Sequence, residues 1–441
     1  MEQMKSSKSI QFLTVFSIFL SCGSVFGQAQ KELNISQAIN LALENHQQLK
    51  ISSVSKEIAE QQTRVAKLQQ LPNAAASATA GYIGDVLILD KDFTKVTTKD
   101  MPHFGNSYAV QASQLLYKGG LVKKSIELMG IREQLAELDE VKDQQSIKFL
   151  VISNYLDLCK LINQEKVYQN NRKLAQIRLE NVRKYYKQGM ITRNEVIRGE
   201  LALQNIDQAI LVVKNNIAIL DYNLSIALGL PDDTSIIPTE SITEKLLEGD
   251  KNYYFDLAYQ SHPQLTSMKK NVELADKNIE IINTDKYPAL SAIGGYNMQR
   301  PITNVSPVLD MYSNSWQVGL SLNYNIDNLY KTKEKLKLGN LQKTQLIETT
   351  VLMKQNIQMG VNVAYVKYQE AVQNANILME SQRLAQENYR IVEAKYLNQL
   401  AIQAEMTDAT NAKLEAELQY ANAEINVLYQ YYNLIKTTGT L

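Results

Sequence analysis

Apolar and polar positions alternate strictly along residues 315–326, SWQVGLSLNYNI. A period of two predicts a β-strand with one apolar and one polar face. The stretch has aromatic side chains near both ends, and its length suits a tilted strand that crosses a bilayer core of roughly 30 Å. Taken alone, the pattern is equally typical of a half-buried strand in a soluble sheet.

Three further stretches favour the membrane interpretation. Residues 108–114 repeat the alternation, while residues 73–82 and 288–298 are weaker versions built from small residues. The chain is therefore predicted to contain two strand pairs, 73–117 and 288–326. A polar loop joins the strands of each pair, at residues 83–105 and 299–313.

Four strands cannot close a barrel in lipid, because open edges leave backbone groups unpaired and the smallest closed barrels need about eight strands. Two chains would give eight strands and a lumen filled by side chains, whereas three chains would give twelve strands and an open bore. The polar residues on the inner face indicate a water-filled lumen. The sequence therefore predicts a homotrimer with a transmembrane 12-stranded β-barrel.

The remaining sequence is typical of long helices. Helices are predicted at residues 35–71, with Ser36 as N-cap and Pro72 as the stop, and at 121–188, 192–228 and 329–397. Apolar residues of the second helix recur at spacings of three and four in one heptad register, the pattern of a coiled-coil seam. Cys159 falls on this seam, which predicts a packed thiol rather than a reactive one.

The second half repeats the first at an offset of about 210 residues. This predicts a first repeat at residues 28–230 with helices to 229, a connector at 231–256, and a second repeat at 257–441 with helices to 436. His46 and His262 occupy equivalent positions, which helix-end packing explains better than metal binding. The predicted fold is mostly α with transmembrane β, a tandem repeat of long helical hairpins forming a rod of about 100 Å.

The first 27 residues are predicted to be a signal peptide, with Lys5 and Lys8 before the apolar run 10–20 and cleavage after Gly27. The alternative is a lipobox at residues 19–22, in which Cys22 would be lipidated after cleavage.

Composition excludes several function classes. With 46 basic and 46 acidic residues the chain has no net charge, which gives no electrostatic basis for binding nucleic acid. The three histidines lie far apart in sequence, and there is no catalytic triad, phosphate-binding glycine loop or cysteine cluster. The sequence therefore predicts neither an enzyme nor a cofactor or metal site.

The segment ISQAINLALENH at residues 35–46, the Gly-Leu-Pro at 229–231, the tandem repeat and the strand pairs together resemble the TolC-like outer-membrane efflux proteins. The resemblance covers nearly the whole chain after residue 27. It implies a trimeric barrel in the outer membrane of a Gram-negative bacterium, continuing into an α-helical barrel in the periplasm. It also implies a passive exit duct for a tripartite efflux or type I secretion system, with a periplasmic adaptor and an inner-membrane transporter as partners.

The resemblance also assigns roles to residues. Glu405 and Asp408 match the acidic ring at the closed periplasmic end, where they would act as gate and selectivity filter. Their spacing puts both on one helical face, and a solvated acidic face is the alternative interpretation. Tyr396 and Glu195 match a gate tether between the two hairpins. The family's arginine just after the second turn is replaced by Ala401.

The hairpin tips are predicted to be the docking surface for the adaptor. Their residues are Gly189, Met190, Ile191, Leu400 and Ile402. Two alternatives without a transport role are open at this point. One is a trimeric coiled-coil stalk or adhesin on a barrel anchor, and the other is a water-soluble coiled-coil scaffold.

Overall fold

The computed structural model describes residues 30–441 except 233, 240–246, 248 and 399, so the predicted signal peptide and Cys22 lie outside the described residues. The helices are α1 Ile35–Asn45, α2 Gln47–Lys67, α3 Leu121–Lys187, α4 Arg193–Leu228, α5 Lys251–Ser261, α6 Pro263–Asn283, α7 Asn328–Leu397 and α8 Gln403–Thr438. The strands are β1 Gln30–Leu33, β2 Asn73–Tyr82, β3 Val86–Leu89, β4 Lys95–Lys99, β5 Phe104–Tyr117, β6 Ser235–Pro238, β7 Ala289–Arg300 and β8 Ser313–Asn323.

Two long helices set the length of the molecule. α3 has 67 residues and α7 has 70, so each is about 100 Å long. α2 and α4 both pack on α3, and α6 and α8 both pack on α7. The two repeats meet where α3 packs against α6 and α8. No described helix is both long enough and apolar enough to cross a membrane.

The helix predicted at residues 35–71 is in fact two helices. His46 has extended backbone dihedrals (φ −62°, ψ 125°), ends α1, and caps α2 by accepting a hydrogen bond from Gln48 N at Nδ1 (3.1 Å). His262 occupies the same kind of junction between α5 and α6. The predicted N-cap is also wrong. Asn34, not Ser36, caps α1, because its side chain and that of Gln37 form a reciprocal capping box.

The four long strands form one antiparallel sheet in the order β2-β5-β7-β8. Trp316, Val318, Leu320 and Leu322 lie on one face of β8 and are 69–80% exposed. β2 and β8 are the sheet edges and have no further strand partner among the described residues. The loop predicted between β2 and β5 contains a separate hairpin, β3-β4.

A second, two-stranded parallel sheet joins the start of the chain to the connector. β1 pairs with β6, and both pack on the main core cluster with α1, α3 and α4. The fully buried Tyr155 donates a hydrogen bond to Leu33 O (2.8 Å) and accepts one from Thr239 N (3.1 Å). The buried Asp221 accepts hydrogen bonds from Ser235 Oγ (3.0 Å) and Ile236 N (3.2 Å). Side chains of α3 and α4 thus hold the connector strand in place.

Tyr155→Phe should lower the free energy of unfolding by about 0.5–1.5 kcal/mol, because it removes the hydrogen bonds of the hydroxyl to Leu33 O and Thr239 N. These two backbone groups then keep only the hydrogen bond to each other (3.0 Å). Denaturant titration of the purified protein measures this change. Tyr365 is the equivalent position in the second repeat and packs against the ring of Tyr254. Tyr365→Phe is the matched control and should change stability much less. Equal effects would contradict the role of the Tyr155 hydroxyl.

Asp221→Asn should raise the thermal unfolding temperature at pH 7. Burial raises the pKa of the Asp221 carboxyl, and its two hydrogen bonds oppose the rise. Because the pKa of Asp221 is higher in the folded state than in the unfolded state, the free energy of unfolding falls as the pH rises from the lower to the higher value. The loss is complete above both values. The advantage of the asparagine variant should vanish near pH 3, below both values. A lower unfolding temperature at pH 7 would mean that the hydrogen bonds to the charged form outweigh its desolvation.

Candidate functional site

Both hairpins turn at the end of the molecule away from the sheet. In the first, Gly189 has φ +78°, Gly189 N bonds to Tyr186 O (3.0 Å), and Met190 N bonds to Tyr185 O (3.0 Å). This is a Schellman motif, in which glycine takes the left-handed position after the helix end. Its hydrogen bonds satisfy carbonyls that the helix end leaves free.

The second turn repeats the first without a glycine. Leu400 N bonds to Lys395 O (2.8 Å), the same spacing as from Met190 to Tyr185, and Asn398 Nδ2 bonds to Ala394 O (2.8 Å). Asn398 itself has φ −93°, outside the left-handed region. Gln399 lies outside the described residues.

Apolar side chains are exposed at both turns. Met190 is 60% exposed, Leu400 77% and Ile402 65%. Gly189 is exposed as well, whereas Ile191 is half-buried. The two turns thus present an apolar surface at the end of the helical rod.

Glu405 and Asp408 lie in the first two turns of α8 and are both exposed. Met406 and Ala409 are buried on the adjacent side of the helix. The spacing of three residues places the two carboxylates on one solvent-facing stripe. Glu405 lies in the first turn of α8, where the partial positive charge of the helix N-terminus stabilises a carboxylate. Among the described residues, no cluster of three metal-ligating side chains occurs here or elsewhere.

Tyr396 and Glu195 are close enough to interact electrostatically. Burial raises the pKa of the Tyr396 hydroxyl, the nearby Arg178 opposes the rise, and the charge of Glu195 adds to it. However, within the described part of the chain no hydrogen bond joins the two side chains, and the buried Glu195 Oε2 has no partner. The structure brings the predicted tether pair together without forming the bond.

A hydrogen-bond network one heptad before Tyr396 was missed in the sequence. The Tyr389 hydroxyl, in a side chain only 5% exposed, donates to Glu393 Oε1 (2.7 Å). Arg178 of α3 donates to the Tyr389 hydroxyl (3.1 Å) and to Thr410 Oγ1 (2.8 Å). Burial, then the bond to Glu393, raises the pKa of Tyr389. One arginine therefore joins the first hairpin to both helices of the second.

Arg178 is the last of three polar contacts along the seam between α3 and α8. Gln164 bonds to Asn422 (2.9 Å) and Asn171 bonds to Glu417 (3.0 Å). Gln164, Asn171 and Arg178 follow one another at intervals of seven residues. That heptad spacing of polar side chains on an otherwise apolar seam was the signal in the sequence that could have located the network.

Comparison with known proteins identifies the family that the chain resembles. Residues 255–440 match the family model described as outer membrane efflux protein. No curated protein matches the chain. The resemblance to TolC-like outer-membrane efflux proteins that the motifs indicated is confirmed.

The fold is similar to solved outer-membrane channels. The outer-membrane channel OprN has a TM-score of 0.77 at 14% identity, covering 92% of this chain and 90% of that one. CusC, described as forming a transmembrane channel, has a TM-score of 0.76 at 15% identity, covering 92% of each chain. The outer membrane protein VceC from Vibrio cholerae has a TM-score of 0.74 at 14% identity, covering 92% of this chain and 96% of that one. At these identities the likeness shows the fold.

Tyr389→Phe should loosen the contact between the hairpins more than Tyr396→Phe, because only the Tyr389 hydroxyl makes hydrogen bonds to Glu393 and Arg178. Removing a buried hydroxyl of this kind costs about 1–3 kcal/mol, so amide exchange near residue 389 should accelerate by roughly fivefold or more. Hydrogen exchange with mass spectrometry of both variants measures this difference. A larger effect of Tyr396→Phe would show that the predicted tether, not the observed network, holds the tips.

Proposed function

We propose that the protein is the outer-membrane exit duct of a tripartite efflux or type I secretion system. Three copies would close a 12-stranded barrel that continues into an α-helical tunnel in the periplasm. The duct itself would be passive, and an inner-membrane transporter would supply the energy. The observation that carries the proposal is the sheet, which has an exposed apolar face and two edges that pair with no further strand among the described residues.

Two features of the sheet support closure by further copies in lipid. Apolar residues of β8 up to 80% exposed would be unfavourable in water but are suited to acyl chains. Unpaired edges in a bilayer leave backbone groups without hydrogen bonds, and pairing β8 of one copy with β2 of the next removes both edges. The residues that alternate with the apolar ones, such as Gln317 and Ser321, would then line a water-filled bore.

At the other end of the molecule, the acidic stripe of α8 would line the narrow periplasmic mouth. Glu405 and Asp408 are exposed in the single chain and free to face a common axis. Carboxylates brought together in a ring attract cations and raise one another's pKa. The proximity of Tyr396 to Glu195, together with the Arg178 network, supports a closed resting arrangement of the two hairpins.

The exposed apolar tips are the proposed contact for a periplasmic adaptor. Met190, Leu400 and Ile402 protrude from neighbouring turns, and exposed apolar side chains grouped in this way are typical of protein interaction sites. The adaptor would couple the duct to the inner-membrane transporter.

Single-channel recording in a planar bilayer tests both the duct and its gate. The wild type should form a cation-preferring pore of low conductance, and Glu405→Ala/Asp408→Ala should raise the conductance or reduce the cation preference, because the charged ring is lost. Glu44→Ala/Glu57→Ala is the matched control, since it removes two exposed carboxylates from the helices nearer the sheet. This control should behave as the wild type.

The outcomes separate the parts of the proposal. If the double substitution at the tip leaves the pore unaffected, the protein is a duct but Glu405 and Asp408 are not its gate. The absence of any pore would contradict the duct and favour a barrel-anchored coiled-coil stalk or adhesin.

A further inference from the structure

Basic residues concentrate where the strands of the large sheet join the helices. The four junction segments, residues 64–72, 117–125, 284–288 and 327–338, contain ten lysines and arginines but only three acidic residues. The segments at the opposite ends of the strands, 83–103 and 300–312, contain four basic and five acidic residues. A chain with no net charge therefore carries a positive charge at one end of its sheet.

The junctions are brought together in space. Asp285 lies just before β7 and forms ion pairs with two lysines from other junctions. Its Oδ1 is 3.6 Å from Nζ of Lys118, which follows β5, and its Oδ2 is 2.9 Å from Nζ of Lys335 on α7. The rings of Tyr117 and Tyr287 meet edge to face with their centroids 6.3 Å apart. We call this group the junction cluster. It consists of Tyr117 and Tyr287 and of the lysines Lys118, Lys286, Lys331, Lys333, Lys335 and Lys337.

The lysines of α7 divide into two flanks. Lys331 and Lys335, one helical turn apart, pair with Asp327 and Asp285. Lys333 and Lys337, also one turn apart, lie on another flank. They are exposed, as is Lys286, and none of the three makes an ion pair within the described part of the chain. The cluster therefore keeps uncompensated ammonium groups at its surface.

The same surface continues the apolar face of the sheet. Leu322 near the end of β8, Ile326 after it and Tyr330 on α7 are 66–71% exposed and lead from the sheet to the lysines. Tyrosines at this level, between an apolar band and a charged one, are typical of the boundary between acyl chains and headgroups. This order of apolar, aromatic and basic side chains matches the order of acyl chains, interface and charged headgroups across one leaflet of a bilayer.

We infer that the junction cluster binds the headgroups of anionic phospholipids in the leaflet nearest the helices. Clustered lysines attract anionic headgroups within a Debye length, and the phosphate can accept hydrogen bonds from more than one ammonium group. The inference rests on the proposed membrane position of the sheet. Its consequence is a lipid preference at the helix end of the barrel that is absent at the other end.

Fluorescence quenching by brominated lipids tests this preference at both ends. Trp316 is the chain's single tryptophan and lies near the start of β8, far from the junctions. Trp316→Phe/Tyr330→Trp moves this reporter into the junction cluster, at an exposed position. Each protein is reconstituted in vesicles of phosphatidylcholine and phosphatidylglycerol, with one or the other lipid brominated. The ratio of quenching gives the relative binding of the two lipids beside the reporter.

The reporter at residue 330 should show a preference for phosphatidylglycerol of about threefold or more, and Trp316 should show a ratio near one. Adding Lys286→Gln/Lys333→Gln/Lys337→Gln to the 330 reporter should bring its ratio near one. The matched control is Lys184→Gln/Lys187→Gln/Lys395→Gln, which removes the same charge from exposed lysines near the hairpin tips. It should leave the preference unchanged.

Each contrary result has a separate meaning. If both reporters are quenched without any lipid preference, the inference is wrong while the membrane position stands. If the junction triple substitution weakens the oligomer and leaves the preference unchanged, the lysines contact a neighbouring copy and the inference is again overturned. If neither reporter is quenched, the sheet is not in the bilayer, and the proposed function fails together with the inference.

Discussion

The unpaired edges of the four-stranded sheet are the constraint on which the rest of the structure depends. Every backbone amide and carbonyl buried in lipid needs a partner, and the outer edges of β2 and β8 each present a row of these groups with no strand partner in the described part of the chain. The backbone groups of β5 and β7 are hydrogen-bonded inside the sheet, because each of these strands pairs with a neighbour on both sides. The antiparallel pairing is regular apart from one shift between Leu115 and Tyr117. The chain therefore solves the pairing problem for its inner strands and leaves it open at its two edges.

The same sheet determines where the helices start. Both strand pairs return to the same side, so α2, α3, α6 and α7 all connect at one end of the sheet. Duplication then gives each repeat one long helix flanked by two shorter helices. Because α3 and α7 run from the sheet to the tips and have similar lengths, 67 and 70 residues, the hairpin tips of both repeats lie at about the same distance from the sheet. A site that uses residues of both tips is a direct result of this geometry.

Periodicity made the strands and the long helices predictable, because burial repeats along them and leaves a pattern of two or of seven residues. Interruptions were harder to predict. His46 breaks a helix that its neighbours would continue, and only the equivalent junction at His262, followed by Pro263 at the first helical position, indicates that a break is there. The second hairpin turn has no glycine, and its position followed from the repeat instead.

The candidate site was partly predictable for a different reason. The positions of Glu405, Asp408, Tyr396 and Glu195 came from a family resemblance, which places residues but does not give their partners. Hydrogen bonds between repeats depend on the rotation and translation of one long helix against another, and sequence periodicity does not specify these. Tyr389, at the same heptad position as Tyr396 but seven residues earlier, bonds to Arg178 of the first hairpin, whereas Tyr396 was expected to bond to Glu195 of that hairpin.

The seam between the repeats differs physically from the seams within them. Apolar packing tolerates small shifts of one helix along another, because it has little directional preference. The contacts of Gln164, Asn171 and Arg178 with α8 are directional, and a shift of one residue would break all three together. Polar side chains at regular seam positions specify register at some cost in stability. In this chain they fix the height of the second hairpin against the first, and with it the level at which the acidic stripe of α8 meets the tip.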